Sequence, residues 1–311
     1  MLPVNIGQTG FIRGPLGFRG VDEWGRSLHS DAKIFYVDKS SLGANDANDG
    51  TDPNYPLLTI QQGLDNCVSG RGDTVYVVRR GTSAYAENLT LSKARVSLRA
   101  ALPTGNAQRV AVVPAAGVAL DLQNGALSFV CEGFRFYGTT FSVQLAADGP
   151  LFYNCDFSGD DVGVRFMGTN VDTNNTGSGA HFERCLIREC GGIGMRVGNA
   201  ALMLHATNVN IRDCQFYGNV GADISDTGEN GANPYWYQWH IHGNYFMTTA
   251  KAVYLDMEGG DALATGLMIS GNFFNHLNLT ASEIILPDAA VAAFIGNMDG
   301  SGMLTNALAP F

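Results

Sequence analysis

The sequence has little charge, and most of the charge that it has is negative. Only 15% of its 311 residues are charged, whereas an average soluble domain has roughly 25%. Its 19 basic and 29 acidic side chains give a formal net charge of −10. Sequence-independent binding of nucleic acid requires clustered Lys and Arg that displace counterions. We therefore expect no nucleic-acid partner.

Long apolar segments are absent as well. No run approaches the roughly 18 apolar residues of a membrane-spanning helix, so we expect no membrane partner. The opening segment, MLPVNIGQTGFIRGPLGF, lacks the charged start and apolar core of a secretory signal peptide. In a long chain without such a signal, the six cysteines are expected to be buried thiols rather than disulfides.

Glycine and apolar residues are abundant instead. The chain has 39 Gly, and 45% of its residues are hydrophobic. Gly, Asn and Asp tolerate the backbone conformations of tight turns. The composition therefore predicts many turns between short buried strands.

Six segments of the chain repeat one pattern: GFRFYG, NCDFSG, RCLIRE, DCQFYG, GNYFMT and GNFFNH. Their fourth residues are Phe136, Phe157, Ile187, Phe216, Phe246 and Phe274. In a parallel β-helix, equivalent positions of successive coils stack about 4.8 Å apart, so an inward side chain must match those above and below it. The repeat predicts an all-β, right-handed parallel β-helix with these six residues as a core ladder. A β-sandwich does not return to one pattern at such regular intervals.

The segment TDPNYPLLTIQQGLDNCVSGRGDTVYVV resembles the start of pectin-lyase-like β-helix proteins. This resemblance implies a short N-terminal capping helix, which Pro56–Cys67 would supply. A turn at Gly72 and Asp73 and a first strand at Thr74–Val78 would follow. The resemblance extends over roughly residues 35–285, and it implies a fold without implying a chemistry.

The chain divides into three regions. Residues 1–50 are rich in Gly and have apolar residues and Arg at no regular period, which predicts an extended arm and linker that docks on a partner. Residues 51–300 are predicted to form the β-helix, and 301–311 an apolar tail. The docking residues that we expect in the arm are Phe11, Arg13, Phe18, Arg19, Trp24 and Arg26.

A loop before the fifth repeat carries the most distinctive side chains. Tyr235, Trp236 and Tyr237 follow an acidic, Gly-containing segment. Exposed aromatic residues anchor protein interfaces and also stack on sugars, so these three are predicted to contact a partner or a glycan.

No catalytic residue, metal site or cofactor is predicted. Hydrolysis of a glycoside needs two carboxylates at a defined separation, and the acidic groups of this sequence fall in Gly-rich turns where solvated acids are ordinary. His240 and His242 lie two residues apart, but no carboxylate lies near them in the sequence to complete a metal site.

An arm on a bare β-helix, without a signal peptide, is similar to bacteriophage virion proteins. The resemblance implies a homotrimeric capsid decoration (cement) protein on the capsid surface. It would be made in the host cytoplasm and bind the major capsid protein or another virion protein. Tailspikes usually add head-binding and trimerisation modules, which are not seen here. Two alternatives remain: a tailspike or fibre that binds or cleaves host polysaccharide, as a lyase or hydrolase, and a non-catalytic glycan-binding adhesin.

Overall fold

The computed structural model describes most of the chain between residues 31 and 304. The described ranges are 31–78, 84–101, 109–167, 177–197, 206–225, 238–247, 253–257, 266–276, 283–285 and 293–304. Within them there is one helix, α1 (Ile60–Asn66), and all other regular structure is β. No helix in these ranges is long and apolar enough to span a membrane.

The strands are short and are numbered along the chain. The first nine are β1 (Ile34–Val37), β2 (Thr74–Val78), β3 (Leu89–Leu91), β4 (Ser97–Ala101), β5 (Val110–Val112), β6 (Leu120–Leu122), β7 (Val130–Glu132), β8 (Phe134–Gly138) and β9 (Phe141–Leu145). The next nine are β10 (Leu151–Tyr153), β11 (Asp156–Gly159), β12 (Val162–Phe166), β13 (His181–Glu183), β14 (Leu186–Cys190), β15 (Met195–Val197), β16 (Asn210–Arg212), β17 (Gln215–Tyr217) and β18 (Ile224–Ser225). The last nine are β19 (His240–His242), β20 (Tyr245–Phe246), β21 (Leu255–Asp256), β22 (Met268–Ser270), β23 (Phe273–Phe274), β24 (Ile284–Ile285), β25 (Ala293–Ile295), β26 (Met298–Asp299) and β27 (Gly302–Met303).

These strands form three long sheets. The ten-stranded sheet runs β1-β2-β4-β7-β10-β13-β16-β19-β22-β25, the nine-stranded sheet β27-β26-β23-β20-β17-β14-β11-β8-β5, and the eight-stranded sheet β24-β21-β18-β15-β12-β9-β6-β3. All pairings are parallel except that of β26 with β27. From β7 onward, successive coils add one strand to each sheet. The structure confirms the right-handed parallel β-helix that the sequence predicts.

The core ladder runs inside the nine-stranded sheet. Its residues pair rung to rung and are all fully buried: Phe136, Phe157, Ile187, Phe216, Phe246 and Phe274. The ring of Phe246 stacks on Phe216 and Phe274, with centroid distances of 4.8 and 4.6 Å. This distance matches the spacing of paired strands, about 4.8 Å.

A second interior ladder fills the turn between the ten-stranded and nine-stranded sheets. Its members in chain order are Cys155, Cys185, Cys214, Asn244, Asn272 and Asn297. Asn272 shows the bonding of the amide half. Its Oδ1 accepts the backbone N–H of Asn244 at 2.9 Å, and its Nδ2 donates to the carbonyl oxygen of Ile241 at 2.9 Å. Each amide therefore satisfies buried backbone groups of the preceding coil. All six cysteines of the chain are buried and free.

Helix α1 covers the N-terminal end of the core with its apolar face. Ile60, Leu64 and Cys67 are at most 3% exposed. The helix begins at Ile60 rather than at Pro56, because Leu57 bridges to Val37 and its backbone N–H donates to the carbonyl oxygen of Tyr36 at 2.8 Å. That bonding holds the chain extended before the helix.

The described β-helix begins within the range that the sequence assigns to the arm and linker. Strand β1 pairs in register with β2, and its alternate residues Phe35 and Val37 are buried in the core. At the other end, β27 extends the nine-stranded sheet into the predicted tail after a turn at Gly300 and Ser301, and its first residue, Gly302, has a φ of 138°. Residues 1–30 and 305–311 lie outside the described residues.

Replacing Phe216 by Ala tests the core ladder. The substitution leaves a cavity between Ile187 and Phe246, so it should lower the free energy of unfolding by about 3–5 kcal/mol in denaturant melts. Gln215→Ala, at the adjacent exposed position, is the control and should change it little. A loss below about 1 kcal/mol for Phe216→Ala would contradict the ladder.

Candidate functional site

One set of outward side chains of the ten-stranded sheet forms a continuous in-register row. From the N-terminal coil onward its residues are Tyr36, Tyr76, Arg99, Glu132, Tyr153, Glu183, Arg212, His242, Ser270 and Ile295. Because the strands pair in register, neighbours lie on adjacent rungs, about 4.8 Å apart. We call the central part of this row, from Arg99 to His242, the polar row.

The polar row has the same chemistry on both sides of Tyr153. On one side Arg99 Nη1 lies 3.4 Å from Glu132 Oε2, and on the other Arg212 Nη2 lies 2.5 Å from Glu183 Oε2. The two pairs leave no net charge, and each places its carboxylate beside Tyr153. The Glu183 side chain is only 8% exposed, although it points outward from the sheet.

Arg184 fixes the ring of Tyr153. Its Nη1 donates to the Tyr153 hydroxyl oxygen at 2.7 Å, and its guanidinium carbon lies 5.7 Å from the ring centroid. Arg184 stands in the turn after β13 with a φ of 53°, a left-handed conformation. A ring held this way is an ordered surface rather than a freely rotating one.

One histidine lies beside the carboxylate of Glu183, and a second lies two rungs away. His181 Nε2 lies 3.5 Å from Glu183 Oε2, and His242 occupies the rung after Arg212. Burial and the positive charge of Arg212 lower the pKa of His181 below its ordinary value, although Glu183 opposes this effect. Burial, again with Arg212, also lowers the pKa of His242. Both imidazoles are therefore neutral at neutral pH.

Some hydrogen-bonding capacity on this face is unused. Asn210 pairs with both His181 and His240, yet its Oδ1 has no hydrogen-bond donor among the residues that the structure describes. Arg212 Nε is buried and likewise has no hydrogen-bond acceptor there. This acceptor and this donor lie two residues apart on β16, and both atoms are buried.

A second charged cluster lies outside the nine-stranded sheet and ties coils together. Asp156 is buried and accepts two hydrogen bonds of 3.0 Å from Arg188 on the next coil. Arg135 on the preceding coil lies 3.8 Å from the same carboxylate. Arg109 donates to both oxygens of Asn154 at 2.8 Å. The Asp156 carboxylate therefore joins three successive coils through Arg135 and Arg188.

The structure gives different outcomes for the residues singled out in the sequence. The arm residues and Tyr235, Trp236 and Tyr237 lie outside the described residues, so their predicted contacts stay predictions. The connection that carries these three aromatic residues joins β18 to β19, and His240 and His242 on β19 face outward beside the polar row. The described ranges hold no group of three or more His, Cys, Asp or Glu suited to a metal ion.

Sequence reasoning missed the polar row, although a signal for it was present. Counting two residues back from the Cys and Asn ladder, and from the equivalent Phe134, gives Glu132, Tyr153, Glu183, Arg212, His242 and Ser270. A turn breaks the alternation of inward and outward residues along a strand. A residue two positions before an inward-facing turn residue can therefore face outward. Alignment of the coils therefore reveals a polar column beside the apolar one.

No protein-family model and no curated protein matches the chain. Among solved structures, deglycosylated pectin methylesterase from Aspergillus niger superposes with a TM-score of 0.50 at 10% identity, covering 90% of this chain and 94% of that one. A rhamnogalacturonan lyase gives 0.40 at 14% identity, covering 86% and 87%. ORF18 of Geobacillus virus E2 gives 0.36 at 15% identity, covering 85% and 60%. The chain thus has a pectin-lyase-like fold, and identities this low assign no activity.

The lowered histidine pKa values predict the pH dependence of stability. The unfolded chain binds protons near the ordinary histidine pKa of about 6.5, whereas folded His181 and His242 bind them only at lower pH. The unfolded state then holds more protons, so stability should fall as the pH drops through about 6.5. Urea melts at a series of pH values should show this loss.

A double substitution isolates the histidine contribution. His181→Gln with His242→Gln should reduce the dependence of unfolding free energy on pH, while His240→Gln, at the exposed position of the same strand, should leave it nearly unchanged. An unaltered pH dependence in the double variant would contradict the assignment.

Proposed function

We propose that the protein is a bacteriophage virion protein of the tailspike or fibre type that binds a polysaccharide of the host surface along the polar row. The observation that carries this proposal is the in-register sequence Arg99, Glu132, Tyr153, Glu183 and Arg212 on consecutive strands. The sequence resemblance to phage virion proteins supplies the virion context.

A repeating ligand fits a repeating surface. Extended sugar chains present hydroxyls and flat apolar ring faces at regular intervals, and the polar row presents carboxylates, guanidinium groups and an ordered tyrosine ring on neighbouring rungs. Tyr153 offers a face on which a sugar ring can stack, and the flanking carboxylates accept hydrogen bonds from its hydroxyls. Tyr235, Trp236 and Tyr237 belong to the connection that leads into the same face.

The charge of this face favours a neutral glycan. The ion pairs of Glu132 and Glu183 cancel within the row, and the whole chain has a net charge of −10. A polyanionic chain would be repelled by the protein as a whole and would find no excess positive charge in the row.

Binding without cleavage is the form of this activity that we propose. Hydrolysis of a glycoside needs two carboxylates that act on the scissile bond rather than on neighbouring side chains. In the polar row, Arg212 lies against Glu183 and Arg99 against Glu132. Elsewhere Asp160 accepts a hydrogen bond from the Tyr137 hydroxyl, and Asp223 accepts one from Asn219.

Glycan binding can be measured on an array of neutral bacterial surface polysaccharides, followed by titration calorimetry of the best binder. Tyr153→Ala removes the stacking ring and should weaken affinity about fivefold, because an aromatic contact contributes about 1 kcal/mol. Glu183→Gln should weaken it as well. Tyr217→Ala, on the nine-stranded sheet, is the matched control and should bind normally.

Two results would decide against this proposal. Equal affinity of the Tyr153→Ala variant and the wild-type protein would place any glycan site elsewhere. Release of reducing ends or unsaturated sugars from a bound polysaccharide, lost in Glu183→Gln, would make the protein an enzyme.

Capsid decoration is the second candidate, favoured by the composition of the arm. Residues 1–30 combine apolar anchors such as Phe11 and Trp24 with Arg13, Arg19 and Arg26. Such a segment suits docking on an acidic, partly apolar shell such as a major capsid protein. In this role, homotrimers of the β-helix would brace neighbouring capsid subunits.

Deleting residues 1–30 tests the docking role of the arm. The deletion stops before Lys33, whose backbone N–H donates to Asp73 Oδ1 at 2.9 Å, so the melting temperature of the β-helix should change little. Attachment to particles, measured by co-sedimentation, should be lost. A truncated protein that decorates particles at full occupancy would show that the arm is not the anchor.

A further inference from the structure

The eight-stranded sheet has an outward row of its own, and its chemistry differs from that of the polar row. From the N-terminal coil onward, its residues are Thr90, Asp121, Gln144, Arg165, Arg196, Ser225, Asp256 and Ile285. Arg165 on β12 pairs directly with Arg196 on β15. Two positive charges therefore lie on adjacent rungs, about 4.8 Å apart at the backbone.

Both arginine side chains point away from the core. The residues that flank them along β12 and β15 are fully buried: Val164, Phe166, Met195 and Val197. Side chains alternate between the two faces of a strand, so Arg165 and Arg196 face outward, and both are partly exposed. A ligand in solution can therefore reach this pair.

In the described part of the row, no carboxylate occupies the rungs next to the pair. Gln144 precedes Arg165 and Ser225 follows Arg196, and neither neighbour carries a charge. In the polar row and in the cluster around Asp156, by contrast, each arginine lies against a carboxylate. Like charges on adjacent rungs repel. The arginine pair thus lacks a counter-charge within its own row.

The two arginines differ in how they are held. Arg165 is ordered by Phe141, whose ring centroid lies 4.6 Å from the guanidinium carbon. Arg196 forms no ion pair or hydrogen bond with the residues that the structure describes, and its Nε is buried without an acceptor there. An anionic ligand would supply acceptor oxygens and negative charge to this arginine together.

The arrangement of the pair favours a tetrahedral anion. One guanidinium group binds two oxygens of an anion side by side, so a single arginine occupies both oxygens of a carboxylate. A phosphate group has further oxygens that point in other directions, and a second guanidinium on the neighbouring rung can bind these. A phosphate monoester also carries a charge of about −1.5 to −2 at neutral pH, which attracts two cations more strongly than a carboxylate does.

We infer that Arg165 and Arg196 form a binding site for a phosphate group on the outer face of the eight-stranded sheet. Arg196 supplies unused donors, and Arg165, held over Phe141, supplies the second guanidinium group. The site lies on a different sheet from Tyr153, so it is independent of the glycan binding proposed for the polar row. The chain has a net charge of −10, so a long polyanion is repelled while a single phosphate group interacts with the two nearest charges.

Isothermal titration calorimetry of the full-length protein at constant ionic strength tests this site. The probes are glucose 6-phosphate, inorganic phosphate and glucuronate. The wild type should bind glucose 6-phosphate with saturation, and glucuronate about tenfold more weakly or less. Arg196→Gln and Arg165→Gln should each weaken phosphate binding about tenfold or more, because each variant loses charge-assisted hydrogen bonds.

Arg95→Gln is the matched control, because it removes the same charge from an exposed turn outside the eight-stranded sheet. Its affinity for phosphate should equal that of the wild type. Without phosphate, Arg196→Gln should melt no lower than the wild type, since it relieves the repulsion between two guanidinium groups. Arg196→Lys keeps the charge but loses the planar fork, and it should also bind phosphate more weakly than the wild type.

The probes separate the possible sources of the phosphate group. Equal affinity for inorganic phosphate and glucose 6-phosphate would show that the anion alone is recognised, and tighter binding of the sugar phosphate would show that the sugar contributes; both results support the site. The inference is overturned if the wild type binds neither phosphate probe, if Arg196→Gln binds them unchanged, or if glucuronate binds equally well. Arg196→Gln should leave the binding of neutral glycans at Tyr153 unchanged, so failure of one proposal is distinguishable from failure of the other.

Discussion

In-register stacking of parallel strands, about 4.8 Å apart, is the constraint on which this molecule depends. Each side chain meets its counterpart on the coil above and the coil below, inside and outside the sheets. Inside, this requires matched shapes such as the rings of Phe216, Phe246 and Phe274, which stack almost in parallel. Along the polar row, it favours complementary chemistry, because like charges on adjacent rungs would repel. The alternation of Glu132 and Glu183 with Arg and Tyr satisfies this second requirement.

The fold was recognisable from the sequence because inward-facing positions carry similar residues at a regular interval. The outer face was harder to recognise, because its outward-facing positions carry complementary residues. The order Arg, Glu, Tyr, Glu, Arg shows no repeat in the sequence. Strand β1 was not identified from the sequence for another reason. It pairs in register with β2 across a connection that contains α1, so Ile34–Val37 has no neighbouring repeat to identify it. The helix at Ile60–Asn66 was predictable from its apolar face, and its true start depended on the bridge of Leu57 to Val37.

The turn ladder shows how one interior position can be filled by two chemistries. Cys185 and Cys214 fill it in the earlier coils with small, weakly polar thiols. Asn244 and Asn272 fill it in the later coils with amides that bond the backbone of the preceding coil and that are linked to each other, since Asn244 Nδ2 donates to Asn272 Oδ1. A buried amide is tolerated only where both its donor and its acceptor are satisfied. An amide ladder is therefore cooperative along the axis: each Asn requires the next one, and the run continues to Asn297 in the last described coil.

The same stacking divides the outer surface into zones. Each coil adds one strand to each sheet. A change of outward-facing side chains from one coil to the next therefore changes the chemistry of the surface along the axis. The middle coils hold ion pairs whose charges cancel, with the ring of Tyr153 between them. The last coils instead expose uncharged side chains such as Ile295, Met298 and Met303. Because each coil contributes only one rung to a sheet, any contact surface on this molecule must extend over several coils, and a change of chemistry along the axis therefore separates one surface from the next.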